Sequence, residues 1–480
     1  MSPSAFLTRA PLSQMQSDLA FLDQQMLLQP SVNEQVGFDF CGLRRSYRDD
    51  PSHPDAKFVA RFGRIWIYDV ALSIYADLKA GRLRQAGYQA GRIMQLALQE
   101  EARGFEGIWH FSYNTLGDSF IDPRGPTGAN SWGLNASYAF ILASGNAAAL
   151  SWANRCVKEV LFGQQVMEMS DPRFGLVRAG FYNPTDLALG DGEMGYRVYE
   201  KTPHHRYEHV ILEHNADVAA TFRLAFLATR RFAPEQAGFL EELIHRHDLL
   251  MRGIRRCFWQ GDHFVSAMDG QGRFCAGTDG TPSVAVDNNT WAAHVFLPYD
   301  LEMVLSSIRY VEERFLIQIP LAQVEDLVAG DWGESRLEGL YYFPSTFVDP
   351  FVQVASEYRP KMERIIQLEG TFGFILLLKG AAEVFCRAWE GSRLRARAYE
   401  MHERITALQR LYGPFGAPYA SANIPDVFST LHSVTTAATG AITTAILQGA
   451  AAPGDFIGVT PPPEFLVEGR PPRDDERVNA

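Results

Sequence analysis

Five short polar clusters in this 480-residue chain open stretches that then turn apolar. They are Asn130 with Ser131, Glu213-His214-Asn215 with Asp217, Asp287-Asn288-Asn289, Glu369 with Thr371, and His432 with Ser433. A carboxyl group set against an apolar wall resists ionisation, because the charged form loses its hydration, and acid–base catalysis uses acids whose pKa is displaced in this way. Asp217 follows Glu213 by four residues and so shares its face of a helix. A structural duty competes at several positions. Asp287 and Asn130 are good helix caps, whereas Glu213 and Glu369 are poorer ones and point more strongly to a pocket.

Aromatic residues are interleaved with these acids, including Trp109, Tyr113, Trp132, Trp291, Tyr342 and Tyr419. Acids and amides take up hydroxyl groups while flat rings stack on the C–H faces of a sugar, so this mixture suits a saccharide pocket. The same rings could equally be core residues. Other chemistries find little support. His209 and His214 are five apart and HExxH is absent, so no metal is expected. There is no GxSxG, no phosphate-binding GxxxxGK[ST] and no GxGxxG after a strand, so neither a serine nucleophile nor a nucleotide cofactor is expected.

The elements that must carry these clusters come in two alternating kinds. Six segments are nearly uncharged after their first turn: those from Gly63, Asn130, Glu213, Asp287, Glu369 and His432. Helices apolar on nearly every side are buried on every side. Between them, the spans 85–102, 147–167, 235–257, 300–316 and 391–411 repeat apolar residues at helical spacing and leave a charged stripe for solvent. Successive low-charge segments start roughly 63 to 83 residues apart, more than the ~33–47 of most open helical solenoids. The pattern predicts an all-α-dominated (α/α)6 toroid with short β-hairpins in the loops at one end; an open solenoid or two helical bundles are the alternatives. The expected division is an N-terminal extension with first helices over 1–50, the toroid over 51–455, and a Pro- and charge-rich tail over 456–480. Long loops before the inner helices would build one functional face.

Net charge is −12, which argues against a nucleic-acid partner. The five cysteines are scattered singly, without a CxxC, as expected of reduced thiols. No signal-peptide pattern or run of ~18 apolar residues appears, so a cytoplasmic protein without a membrane span is expected.

The run RYEHVILEHNADVAATFRLAF, followed by VDNNTWAAHVFLP and LEGTFGFILLL, resembles in order the bacterial (α/α)6 proteins of the six-hairpin glycosidase type. In that superfamily such helix starts line one cavity. The resemblance implies a glycoside hydrolase-like enzyme acting on an oligo- or polysaccharide, and it points at Glu213, Asp217, Asp287 and Glu369. Glycoside hydrolysis needs two carboxyl groups across the scissile bond. Glu213 and Glu369 are the first choice for that pair, with Asp287 as substitute partner and Asp217 in support. The expected substrate-binding residues are Trp109, Tyr113, Asp118, Asn130, Trp132, His214, Asn288, Trp291, Tyr342, Tyr419 and His432. Opposed helices would suit a carboxyl separation of ~6.5–9.5 Å and hence inversion. The alternatives are a sugar epimerase or isomerase using His214, His294 and His432, a lyase, and a non-catalytic saccharide-binding toroid working beside a polysaccharide-synthesis complex.

Overall fold

The computed structural model describes residues 12–33, 37–47, 63–115, 124–182, 205–325, 335–348, 356–384, 389–411, 418–422, 432–449 and 465. Six inner helices are α2 (Ile67–Lys79), α4 (Thr127–Ser144), α6 (Leu212–Phe232), α8 (Trp291–Phe296, led by the 3-10 turn Asp287–Asn289), α10 (Leu368–Val384) and α12 (Val434–Leu447). Their outer partners are α1 (Leu12–Gln24), α3 (Leu83–Ala102), α5 (Leu150–Cys156, continuing through a π-helical turn to 164), α7 (Ala237–Phe258), α9 (Leu301–Arg314) and α11 (Trp389–Leu411).

The inner helices close a ring: α2 packs on α4, α4 on α6, α6 on α8, α8 on α10, α10 on α12, and α12 back on α2. Closure excludes the open solenoid. It also explains the low charge of these segments, since every face meets protein and every residue of α12 is buried. The outer helices are amphipathic: α7 turns Phe239, Leu243, His247, Leu250, Ile254 and Phe258 inward at spacings of three and four. Among the described residues no helix is long and apolar enough to cross a membrane.

The sixth outer helix is α1, from the segment read as an N-terminal extension; it packs on α12 and touches α2. An ion cluster centred on the buried Arg44 fastens it. Arg44, fully enclosed, reaches Asp77 of α2 at 2.8 Å and Asp23 of α1 at 3.3 Å. Of the expected C-terminal tail only Phe465 is described, and it is packed against Phe226 and His247 with ring centroids 5.0 and 4.6 Å away.

Three inner helices begin directly after a short strand. Ile65–Trp66 pairs with Ser112–Tyr113, Gly125–Pro126 with Gly180–Tyr182, and Val210–Ile211 with Ala267–Met268. The residues before these helices, Trp66, Pro126 and Ile211, keep extended backbone angles and make no side-chain cap. One turn into the helices, a polar side chain fixes the loop alongside. Asn130 Oδ1 accepts from the Ile108 and Trp109 amides, Asn215 exchanges two bonds with Val177, Asn289 exchanges two with Phe264, and Thr371 Oγ1 accepts from the Leu340 amide. These bonds satisfy buried main-chain amides beside the helix starts, Leu340 among them at the end of the strand Arg336–Leu340.

Candidate active site

In four of the inner helices the second residue faces the end of the ring. Those residues are Tyr68 in α2, Gly128 in α4, Glu213 in α6 and Glu369 in α10, and with Asp287 at the start of its 3-10 turn they line a single cavity of about 320 Å³. In three of these helices the residue two places on is the one that pins the loop. Acid-x-Asn or acid-x-Thr is therefore a local unit, with one side chain for the cavity and one for its frame.

Glu213, Asp217, Asp287 and Glu369 all line the cavity, with His214, Trp132, Asn288, Tyr342 and Tyr419 beside them. Burial raises the pKa of all four acids, because each carboxylate would be desolvated. The environments then diverge. Glu213 is pushed further up by the charges of Asp287 and Asp217, and its carboxyl group is hydrogen-bonded to that of Asp287. Asp287 rises less, since it accepts bonds from Glu213 and from the Tyr342 hydroxyl. A hydrogen bond between two carboxyl groups needs a proton on one of them, so the two acids titrate as a pair, or dyad. Asp217 accepts a bond from the Trp132 side chain, which opposes its desolvation.

Glu369 stands apart from the dyad. Desolvation drives its pKa to about 8, against the stabilising bond that the Tyr68 hydroxyl donates to Oε1 and a longer one, 3.3 Å, from Gln367 Nε2 to Oε2. Behind it Asp69, itself raised to about 6 by burial and bonded by Thr435, adds a charge that favours protonated Glu369. His214 is held neutral: burial lowers its pKa to about 4, and its ring bonds the Ala179 carbonyl. Asn288 Oδ1 accepts from the Ala285 amide at 2.8 Å and from the Ser266 hydroxyl, leaving its amide nitrogen as the donor it can offer. Among the described residues no group of three or more His, Cys, Asp and Glu side chains is arranged to hold a metal ion.

Five of the expected ligand contacts do not line the cavity. Trp109 is fully buried, donating from Nε1 to the Ile93 carbonyl at 2.7 Å and packing edge-on against Trp152. The Tyr113 hydroxyl accepts from the His110 amide at 2.9 Å within the core. Asn130 is spent on the loop at 108–109, and it acts as a tether to main chain rather than as an N-cap. Trp291 packs beneath Trp132 and over Gly373, where a β-carbon would sit 2.8 Å from its ring. His432 lies against Phe21 and pairs with Pro418. In each case the loop or helix start folds inward on its own framework. Asp118 lies outside the described residues.

Conversely, Tyr68, Phe111, Arg124, Ser266, Phe343 and Phe347 line the cavity without having been singled out. Tyr68 had a usable signal: it occupies, in the first low-charge segment, the register of Glu213 and Glu369. The others sit on irregular loops with no periodicity to mark them.

No family model matches the chain, and no curated protein does. Solved structures share its ring. D-mannose isomerase superposes with a TM-score of 0.55 at 11% identity, covering 93% of this chain and 100% of that one. Cellobiose 2-epimerase from Spirochaeta thermophila gives 0.52 at 11%, covering 92% and 95%. A glycosidase variant gives 0.51 at 12%, covering 94% and 100%. At such identities the likeness is one of fold.

Proposed function

From this (α/α)6 toroid, a fold it shares with glycosidases and sugar isomerases, we propose that the chain is a carbohydrate-active enzyme that hydrolyses a glycosidic bond. The observation that carries the reading is the placement of its acids on one cavity: Glu213 hydrogen-bonded to Asp287, and Glu369 bonded instead by the Tyr68 hydroxyl, with desolvation raising its pKa to about 8. Glu369 donates its proton to the leaving oxygen. The dyad, deprotonated once, takes a proton from water as the water oxygen attacks the anomeric carbon and the C–O bond breaks. The products are a free sugar, a free alcohol and a site with one proton moved from Glu369 to the dyad, which solvent exchange restores. Asp217 and Asn288 serve hydroxyl groups, and Trp132 and Tyr342 offer ring faces.

Proton transfer at carbon is the second reading, because the fold also houses an isomerase and an epimerase. Its natural bases were His214, His294 and His432. Of these only His214 lines the cavity, and it is neutral with its ring bonded to Ala179. His294 is enclosed beside Gly380 with neither ring nitrogen bonded. The histidine arrangement thus gives little support to a proton transfer that uses these histidines as bases.

The test is a glycan panel incubated with wild type, Glu213→Gln, Asp287→Asn and Glu369→Gln, followed by proton NMR. New reducing ends from wild type and none from Glu369→Gln support the reading, and the first-formed anomer reports inversion or retention. An isomerised sugar without cleavage would overturn it.

A further inference from the structure

The cavity has two chemically different walls. Its floor is made by helix starts and carries the acids, Asn288 and the Trp132 ring. One side wall is made by loops instead. Phe343 and Phe347 stack at 4.2 Å between centroids with an interplanar angle of 28°, and Tyr342 meets Phe343 edge-on at 4.4 Å. With Ala285, Met362 and Ile365 they form a small hydrophobic cluster separate from the core of the ring. Phe343, Phe347 and Ala285 present that cluster to the cavity, and Ile211 and Phe111 add further apolar lining.

This wall can stack on the C–H face of a ring but offers few partners for hydroxyl groups, Arg124 beside Phe111 being the charged side chain among its lining. A saccharide buried there would bring several hydroxyl groups, each needing a partner once water is removed. Phenylalanine, alanine and isoleucine side chains supply neither donors nor acceptors. Ser266, which borders the same region, has its own proton committed to Asn288. The wall has its own packed cluster behind it, so Phe343 and Phe347 are held in shape before a ligand arrives, and apolar area is buried at little ordering cost. The wall shares one cavity with the acids, and on the glycosidase reading it is the surface available to the group departing from the sugar.

We infer that the ligand is a glycoside with an apolar aglycone, such as an alkyl or aryl-alkyl group, in place of a second sugar at the leaving-group position. This rests on the glycosidase reading for the orientation of the ligand, and on the wall itself for its chemistry.

Binding to wild-type protein tests it without requiring turnover. Methyl and n-hexyl thiopyranosides of glucose, mannose and galactose, in both anomeric forms, and the matching S-linked disaccharides are titrated calorimetrically. The thio linkage resists hydrolysis, so affinity is read alone. For at least one sugar the hexyl compound is expected to bind about 30-fold tighter than the methyl compound and tighter than the disaccharide. Phe343→Leu and Phe343→Ala should each reduce the hexyl-to-methyl ratio, the alanine variant to about threefold. A hexyl-to-methyl ratio near one, or a disaccharide that binds tightest, overturns the inference. Absence of cleavage of any O-glycoside alongside a large hexyl-to-methyl ratio overturns hydrolysis and leaves the apolar wall standing.

Discussion

The hydroxyl of Tyr68, on the first inner helix, donates a hydrogen bond to Oε1 of Glu369, on the fifth. The ring of Tyr68 is fixed edge-on against Trp132, with centroids 5.2 Å apart at 81°, so the donor cannot drift from its acceptor. This bond stabilises the Glu369 carboxylate and partly opposes the desolvation that raises its pKa. Replacing Tyr68 by Phe removes that opposition, and Glu369 holds its proton to still higher pH. The expected outcome is a kcat reduced about tenfold and an alkaline limb of the pH–rate profile moved upward from about 8. An unchanged limb would separate Tyr68 from the acid's function.

Glu369 also makes folding stability depend on pH. Its folded pKa of about 8 lies above the ordinary 4.5, so between those values the unfolded chain releases a proton that the folded protein keeps. The contribution is fully present below about 4.5 and is lost as pH rises through about 8. In Glu369→Gln this loss is absent. Thermal melts should show the variant gaining on wild type from pH 5 to pH 8.5, with the two converging at acid pH. A difference that is flat across this range would contradict the buried, protonated acid.

Gly128 occupies in α4 the position that holds an acid in α6 and α10. A β-carbon there would lie 2.5 Å from His214 Cδ2 and 3.2 Å from Asp217 Oδ2. Gly128→Ala must therefore displace one of these cavity side chains. We expect a destabilisation of about 1–3 kcal/mol and at least a tenfold loss of saccharide affinity. Wild-type affinity in the variant would show that His214 and Asp217 do not shape the binding site.

The loop-pinning amides should matter for stability more than for chemistry. Asn289→Ala leaves both the N–H and the C=O of Phe264 without their partners, whose bonds are 2.8 and 3.1 Å long. Two orphaned buried groups cost about 2–4 kcal/mol together, measurable by urea unfolding. Hydrogen exchange at the Phe264 amide should accelerate in the same variant. A neutral change would mean that the loop is held by its apolar contacts alone.

Much of the ring is legible in the sequence because burial on all sides leaves a compositional mark. Segments such as HSVTTAATGAITTAIL carry no charge after their first residue, and the outer helices show a clean stripe. The acids at Glu213, Asp287 and Glu369 are legible for a related reason, as polar residues at the mouths of apolar helices. The sixth outer helix is harder to read. Asp18 and Gln14 look like surface residues of α1, yet both are buried, with Gln14 bonding Asp18 at 3.2 Å. The aromatic residues mislead for the opposite reason. A ring in a loop can stack on ligand or on framework, and only folding decides that Trp109 and Trp291 do the second while Phe343 and Phe347 face the cavity. Loop residues have no period, so their direction is set by contacts distant in sequence.

The packing of α1 against α12 has a bearing on how the molecule is made. These helices lie roughly 400 residues apart along the chain, so their contact, like the α12–α2 contact that completes the circle, is among the least local it can form. On a ribosome adding ~5–20 residues per second, α1 would wait tens of seconds for its neighbour. During that interval the apolar flank of α2 that α12 covers stays open to solvent and to other chains. The nascent protein is thus an incomplete arc with two unsatisfied ends until synthesis passes α12. Its yield in cells should depend on chaperone supply during that interval more than on the final stability of the closed form.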